Sequence, residues 1–223
     1  MNSKRLQRFM SNNVDSHLVI QDDTKRSSRS LPAVTFVAAH VTELLHRTRS
    51  ADPKTFILAV FCSLEDEADE SSILRSWIIQ LIEQHRGFDT TVLNRCWDMM
   101  KGGGALGLIE LFSQLQTLLP QGSFLLYILD SASKHLYKMP HLSTLIQLGD
   151  GPGANIRVKF LVTVERQLPK VRELFGRDQV MTLSRIRAAY CGHRHVGSYQ
   201  FSKTAVGKTL AGTTKQRDSY RTK

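Results

Sequence analysis

Uninterrupted apolar runs alternate with amphipathic segments along the middle of this 223-residue chain. The strongest run is Phe124–Asp130 (FLLYILD), which follows a Pro-Gln-Gly turn at 120–122 and ends in one carboxylate. A run of this length is too short for a membrane span and predicts a strand buried on both faces, as in a parallel sheet. Phe56–Cys62 and Arg157–Val164 predict further strands, and Val180–Leu183 a short last one.

Amphipathic patterns predict helices in the intervals between these strands. In chain order the predicted helices are Phe36–His46, Ile73–His85, Thr90–Met100, Ala105–Leu119, Pro140–Leu148 and Pro169–Phe175. The glycines at 102–104 predict a helix-to-helix turn rather than a phosphate loop, because no strand precedes them and no Lys-Ser/Thr pair follows. Strands alternating with helices in this way predict an α/β fold with a doubly wound, mostly parallel sheet flanked by helices.

Charge and polarity divide the chain into three parts. Residues 51–187 hold 15 basic and 15 acidic side chains, so the net charge of +10 comes entirely from the two ends. Residues 1–30 are too polar to fold alone and predict a disordered N-terminal segment. We therefore expect one folded domain at 31–187 and a basic, disordered tail at 188–223, which is typical of a globular protein with solvated ends.

Cysteine content and the N-terminus bear on the cellular compartment. Three cysteines without framework spacing predict reduced thiols in an intracellular, cytoplasmic protein. The N-terminus lacks the apolar core of a signal peptide, and no segment approaches a membrane span. Its Arg, Lys and Ser content before Asp15 also leaves a mitochondrial presequence open.

Asp130 is the first candidate for chemistry. An acid at the carboxyl end of a buried parallel strand lies where α/β proteins bind ligands. In phosphate-binding folds this is the Walker B position, whose aspartate holds the magnesium that bridges nucleotide phosphates. The same short pattern also ends many core strands at an exposed aspartate, so it decides nothing alone.

Four patterns in order give this residue a context. They are FILAVFCS (56–63), SSILRSWIIQLI (71–82), FLLYILDSA (124–132) and IRVKFLVTVERQLP (156–169). Together they resemble the NACHT domain of signal-transduction NTPases, most closely the nephrocystin-type form of fungal proteins, over roughly residues 31–185. The resemblance implies a P-loop NTPase-like fold, with a Walker B strand at 124–130 and a sensor strand at 157–164.

The phosphate-binding half of that family pattern is missing. The resemblance puts Leu31–Thr35 (LPAVT) where Gly-Ser-Gly-Lys-Ser/Thr would stand, so both the glycines that converge on phosphate and the lysine are lost. Only Thr35 could still meet magnesium. The strand before this loop is reduced to Leu18-Val19-Ile20, and its loss would leave backbone groups unpaired in the sheet centre. We therefore expect a marginally stable domain, or one that borrows a strand from a partner.

The hydrolytic half departs as well. Ser133 and Lys134 stand where the family has a second acidic pair, and Glu165 follows Val164 where Ser-Arg would end the sensor strand. Thr163 is kept. The resemblance leaves Thr35, Asp130 and Thr163 as vestigial candidates for binding a nucleotide and magnesium, with no catalytic residue and no other metal site.

Two further motifs lie in the tail. Gly207-Lys208-Thr209 matches the end of a Walker A loop, but Ser202 replaces its first glycine and no apolar strand precedes it. Cys191, His193 and His195 form C-x-H-x-H without an evident fourth zinc ligand. Both are interpreted as chance matches.

These observations lead to one function hypothesis and two alternatives. The first is a degenerate NACHT/STAND pseudo-NTPase that serves signalling or scaffolding through protein partners, without ATP turnover and without a cofactor. The second is a residual regulatory switch that binds Mg-ATP or Mg-GTP. The third is a nucleic-acid binder that uses the basic tail, which the lack of interleaved aromatic residues disfavours. Assembly into a homo-oligomer is left open.

Overall fold

The computed structural model describes residues 4–11, 17–22, 33–49, 52–62, 69–148 and 156–183. The chain divides into two compact units, residues 1–185 and 186–223, and every described residue belongs to the first unit. The predicted basic tail at 188–223, with its two chance motifs, lies outside the described residues.

Within the described residues, five strands form one sheet in which every pair is parallel. They are β1 (His17–Asp22), β2 (Thr55–Phe61), β3 (Phe124–Asp130), β4 (Arg157–Val164) and β5 (Val180–Leu183). The order across the sheet is β2-β3-β4-β1-β5, so β1 lies between β4 and β5 while β2 is an edge. This confirms the predicted parallel α/β sheet.

Helices cover both faces of the sheet. They are α1 (Lys4–Ser11), α2 (Ala33–Arg49), α3 (Glu70–Gln84), α4 (Thr90–Gly102), α5 (Ala105–Thr117), α6 (Leu142–Leu148) and α7 (Pro169–Phe175). Short 3-10 turns occupy Ala132–Lys134, Leu136–Lys138 and Arg177–Gln179. Asp69 caps α3 in a capping box with Ser72, whose backbone amide lowers the pKa of Asp69.

Alternate residues of each strand enter different apolar clusters. On β3, Leu126 and Ile128 pack with residues of α1 and α2. Their neighbours Tyr127 and Leu129 pack on the other face with α3, α5 and α7. Because successive side chains of a strand point to opposite faces, a strand covered by helices on both sides must be apolar throughout. This is why FLLYILD is an unbroken run.

The N-terminal region differs from the sequence analysis. Within residues 1–30, expected to be disordered, Lys4–Ser11 form a helix and His17–Asp22 form an interior strand of the sheet, with all six strand residues buried. The chain therefore supplies this strand itself, and the expectation of a missing or borrowed one is wrong. The error arose because only three apolar residues mark β1. Its polar ends are buried by position, between β4 and β5.

Candidate functional site

The three candidate residues meet at the carboxyl edge of the sheet. Asp130 ends β3, and Thr163 lies on the neighbouring strand β4, where the pairing of Leu129 with Val162 places the two side by side. Thr35 lies in the first turn of α2, which packs on the face of the sheet that carries Leu126 and Ile128. Parallel strands present their carboxyl ends at one edge, so two strands and one helix start converge there.

Asp130 uses both carboxylate oxygens inside the protein. The Thr35 hydroxyl donates to Oδ2 at 2.9 Å, and the Thr163 hydroxyl donates to Oδ1 at 2.5 Å. The exposed fraction is 0% for Asp130 and Thr163 and 9% for Thr35. The structure thus brings together all three residues that the sequence singled out.

Ser131 completes this arrangement, and the sequence analysis did not single it out. Its backbone amide donates to the Thr163 Oγ1 at 2.9 Å, and its hydroxyl lies 3.1 Å from Thr35 Oγ1. Either hydroxyl can be the donor in the contact between Ser131 and Thr35. Ser131 has a φ of 54°, a left-handed conformation uncommon outside glycine. We call Thr35, Asp130, Ser131 and Thr163 the Asp130 cluster.

The groups that contact the Asp130 carboxyl are uncharged hydroxyls. Burial raises the pKa of Asp130, and hydrogen bonds from Thr163, Thr35 and Ser131 oppose that rise. Repulsion from Glu165 adds to the rise. Among the described residues no cation pairs with Asp130, so hydroxyl and burial effects govern its charge.

Position 34, where the resemblance puts the Walker A lysine, is apolar and closed. Val34 is fully buried and packs in the cluster between α2 and the sheet. Its neighbour Ala33 is exposed. Leu31 and Pro32, which the resemblance puts at the first glycine and the serine of that loop, lie outside the described residues. A cation at position 34 would therefore need to leave an apolar core.

The substituted hydrolytic positions have structural contacts instead. Ser133 is buried, and its Oγ accepts a hydrogen bond from the Glu165 backbone amide at 2.8 Å. This bond ties the turn after β3 to the end of β4. Lys134 is exposed, and Val164 is buried in the cluster on the face opposite α2. Arg166 is exposed.

The described residues fit magnesium and nucleotide only in part. Hydroxyl and carboxylate oxygens are suitable ligands for Mg²⁺, and Thr35 and Asp130 supply one of each. No group of three or more His, Cys, Asp or Glu within the described ranges could hold a metal ion. Nothing at position 34 neutralises phosphate charge. The described part of the chain therefore does not fit a complete Mg-nucleotide site.

Comparison with solved structures identifies the fold. The chain resembles the ORC2 protein of Aeropyrum pernix, solved as ADPNP-ADP complexes, with a TM-score of 0.51 and 16% identity over 79% of this chain and 43% of that one. It also matches Drosophila ORC bound to AT-rich DNA and Cdc6, with a TM-score of 0.47 and 11% identity over 94% of this chain and 62% of that one. The chain thus spans less than two thirds of either structure's length. It has a P-loop NTPase-like α/β fold.

The comparisons stop at the fold. No protein-family model matches the chain, and no curated protein matches it by sequence. The NACHT resemblance therefore stays an interpretation of four local patterns, within the broader P-loop NTPase-like fold.

Two other expectations meet the structure. No described helix is long and apolar enough to cross a membrane. Cys62 and Cys96 are free and buried, while Cys191 lies outside the described residues.

Proposed function

We propose that this chain is a degenerate NACHT-type NTPase domain that acts in signalling or as a scaffold, without ATP turnover. The observation that carries the proposal is the pair of neighbours Val34 and Thr35. Thr35 is bonded to Asp130 inside the fold, while Val34, at the lysine position, is fully buried in an apolar cluster. Phosphoryl transfer depends on positioned positive charge around the transferred group. None of the described residues supplies it at this position.

The hydrolytic side supports the same proposal. At the two positions where the resemblance expects a second acidic pair, Ser133 accepts from the Glu165 amide and Lys134 carries the opposite charge. A domain that keeps its core and loses these groups contributes a folded surface rather than a reaction. Protein partners are therefore the expected ligands.

The test is a thermal-shift titration with Mg-ATP, Mg-ADP and Mg-GTP, alongside an assay for released phosphate. A ligand that binds only the folded state at about 100 times its Kd adds about 2.7 kcal/mol to the free energy of unfolding. We expect no nucleotide-dependent shift and no phosphate above background. Asp130→Asn is the control, and magnesium tripolyphosphate separates nucleotide binding from charge screening.

The second candidate is a residual nucleotide switch, which two observations favour. Thr35, Asp130 and Thr163 converge at the edge where such folds bind ligands, and the Aeropyrum ORC2 structure contains ADPNP and ADP. In sequence, Lys25, Arg26 and Arg29 lie between β1 and α2. Their placement is outside the described residues.

The same titration decides between the two candidates. A concentration-dependent rise in Tm, lost in Asp130→Asn, would replace the scaffold proposal with the switch. In that case a Lys25→Ala, Arg26→Ala, Arg29→Ala variant should lose the shift while Asp130 remains in place. A shift that persists in Asp130→Asn would place binding elsewhere and contradict both candidates.

The third candidate, nucleic-acid binding by the basic tail, rests on charge alone. If it holds, a chain lacking residues 188–223 should lose affinity for single- or double-stranded DNA, with a steep salt dependence in the full chain. Equal binding by the full and shortened chains would remove this candidate.

A further inference from the structure

The β2 edge of the sheet is covered in an unusual way. Among the described strands β2 pairs only with β3, so within this part of the chain the backbone groups on its outer side lack a neighbouring strand. An unpaired edge is a template onto which another strand can add. The segment TFILAVF is uncharged and contains no proline, which makes it a strong candidate for such pairing.

Two glutamines of α3 occupy the outer side of β2. Gln84 accepts from the Ile57 amide at 2.9 Å and donates to the Ile57 carbonyl at 2.6 Å. Gln80 accepts from the Ala59 amide at 2.8 Å and donates to the Ala59 carbonyl at 3.0 Å. Both backbone groups of each residue are thus bonded to one side-chain amide.

The match between helix and strand has a geometric basis. Gln80 and Gln84 are four residues apart, which separates them by about 6 Å along a helix. Ile57 and Ala59 are two residues apart, or about 6.6 Å along a strand. The two spacings nearly coincide, so one helix turn serves two successive outward-facing strand residues.

The chemistry of the amide explains why glutamine serves here. The primary amide of glutamine carries its oxygen and one N–H on the same side, so it can bond both the amide and the carbonyl of one residue. Each glutamine therefore takes the place of the carbonyl and amide of one facing residue in a neighbouring antiparallel strand. Ser76, one turn before Gln80, accepts from Gln80 Nε2 at 3.0 Å and fixes its orientation.

We propose that Gln80 and Gln84 act as a guard that keeps β2 from pairing with β2 of a second copy of this chain. The strand is self-complementary about Leu58. In an antiparallel two-fold arrangement Ile57 would face Ala59 of the other copy, and Ala59 would face Ile57. Each facing pair exchanges two backbone hydrogen bonds, so the two pairs make four. On each copy, these bonds would use the amides and carbonyls of Ile57 and Ala59, which are the four groups that the glutamines bond now.

The test is the self-association of a Gln80→Leu, Gln84→Leu variant, measured by sedimentation velocity over a range of protein concentrations. Relative to wild type, we expect a new two-fold association at least about tenfold stronger, equivalent to about 1.4 kcal/mol. A Gln114→Leu, Gln147→Leu variant is the matched control. It makes the same two changes on α5 and α6, away from β2, and should behave as wild type.

A third variant localises the association. Adding Ala59→Pro to the leucine pair removes an outward amide, and proline is tolerated on sheet edges while it blocks pairing. This variant should return to the wild-type state. Equal association by the proline variant, or by the control pair, would overturn the proposal, as would a folded leucine pair with no added association.

If the leucine pair fails to fold, hydrogen exchange of single variants decides. Gln80→Ala should speed exchange of the Ala59 amide and leave Ile57 protected, whereas Gln84→Ala should do the reverse. Each folded single variant should also associate more strongly than wild type. Unchanged exchange, or no gain in association, would overturn the guard.

Discussion

Val34 and Thr35 are consecutive residues in α2, and both are buried, yet they enter opposite surroundings. Val34 packs in the apolar cluster between helix and sheet, whereas Thr35 donates to Asp130. The Asp130 cluster can persist without a ligand because its polar groups hydrogen-bond to one another. A lysine at position 34 would have no such internal partner. The difference teaches that buried polar groups at this edge are those that the fold itself can bond, whereas a charged group at position 34 would need a partner from outside the fold.

The largest effect on stability should come from placing a lysine at position 34. Val34→Lys puts an ammonium group into a position with an exposed fraction of 0%, and we expect the free energy of unfolding to fall by about 3 kcal/mol or more. Ala33→Lys, at the exposed neighbour, is the control and should change it by less than about 0.5 kcal/mol. Urea denaturation measures both. Equal stability of the two variants would mean that position 34 still opens to water or to phosphate.

Removing the carboxylate of the Asp130 cluster should have the next largest effect on the free energy of unfolding. Asp130→Ala leaves the buried hydroxyls of Thr35 and Thr163 without their acceptor, at a cost of about 1–3 kcal/mol in unfolding free energy. Asp130→Asn keeps an acceptor and should cost less at neutral pH. The measurement is urea denaturation at pH 7. If alanine and asparagine cost the same, the hydroxyl contacts contribute nothing to stability, and the internal account of the cluster fails.

The pH dependence of Asp130 separates its charge from its hydrogen bonds. Burial raises the folded-state pKa above the unfolded value of about 3.9, so between the two values the folded state binds more protons. Stability from this group is complete below the unfolded pKa and is lost as pH rises through the folded pKa. Asp130→Asn cannot ionise and avoids that loss.

The stability of Asp130→Asn relative to wild type should therefore grow from about pH 4 upward. Denaturation curves of both proteins between acid and neutral pH measure this difference. A falling difference would show that the folded state favours the carboxylate, as a bound cation would cause, and a flat difference would show that folding does not change the pKa of Asp130.

The strands show how much of the fold could be predicted from the sequence. The bounds predicted for β3, β4 and β5 match those found, since an apolar run of strand length between turn residues carries its own boundaries. β1 could not be predicted as an interior strand. His17 pairs with β4, Gln21 with both β4 and β5, and Asp22 with β5, and hydropathy along the chain does not contain that arrangement.

The candidate site, too, could be predicted from the sequence only in part. Asp130, Thr163 and Thr35 could be picked from local patterns and a family resemblance, and their meeting follows from parallel strands ending at one edge. Ser131 could not, because its role depends on a left-handed turn and on two hydroxyl directions. Gln80 and Gln84 were equally hidden, since their contacts require the register of α3 against β2.

The smallest effect on stability is expected at Ser131, whose backbone amide bonds Thr163 within the Asp130 cluster. Ser131→Ala keeps a side chain at a φ of 54° and loses the hydroxyl, so we expect a loss of about 0.5–1.5 kcal/mol in unfolding free energy. Ser131→Gly loses the same hydroxyl but relieves the left-handed conformation. Glycine should therefore be about 1 kcal/mol more stable than alanine here.

Ser113, inside α5, is the matched control, because there glycine should be less stable than alanine by about 1 kcal/mol. Urea denaturation of the four variants measures both differences. Opposite signs at the two positions would show that the Asp130 cluster is held at the cost of backbone strain. The same sign at both would mean that the turn after β3 costs nothing, and that Ser131 acts through its hydrogen bonds alone.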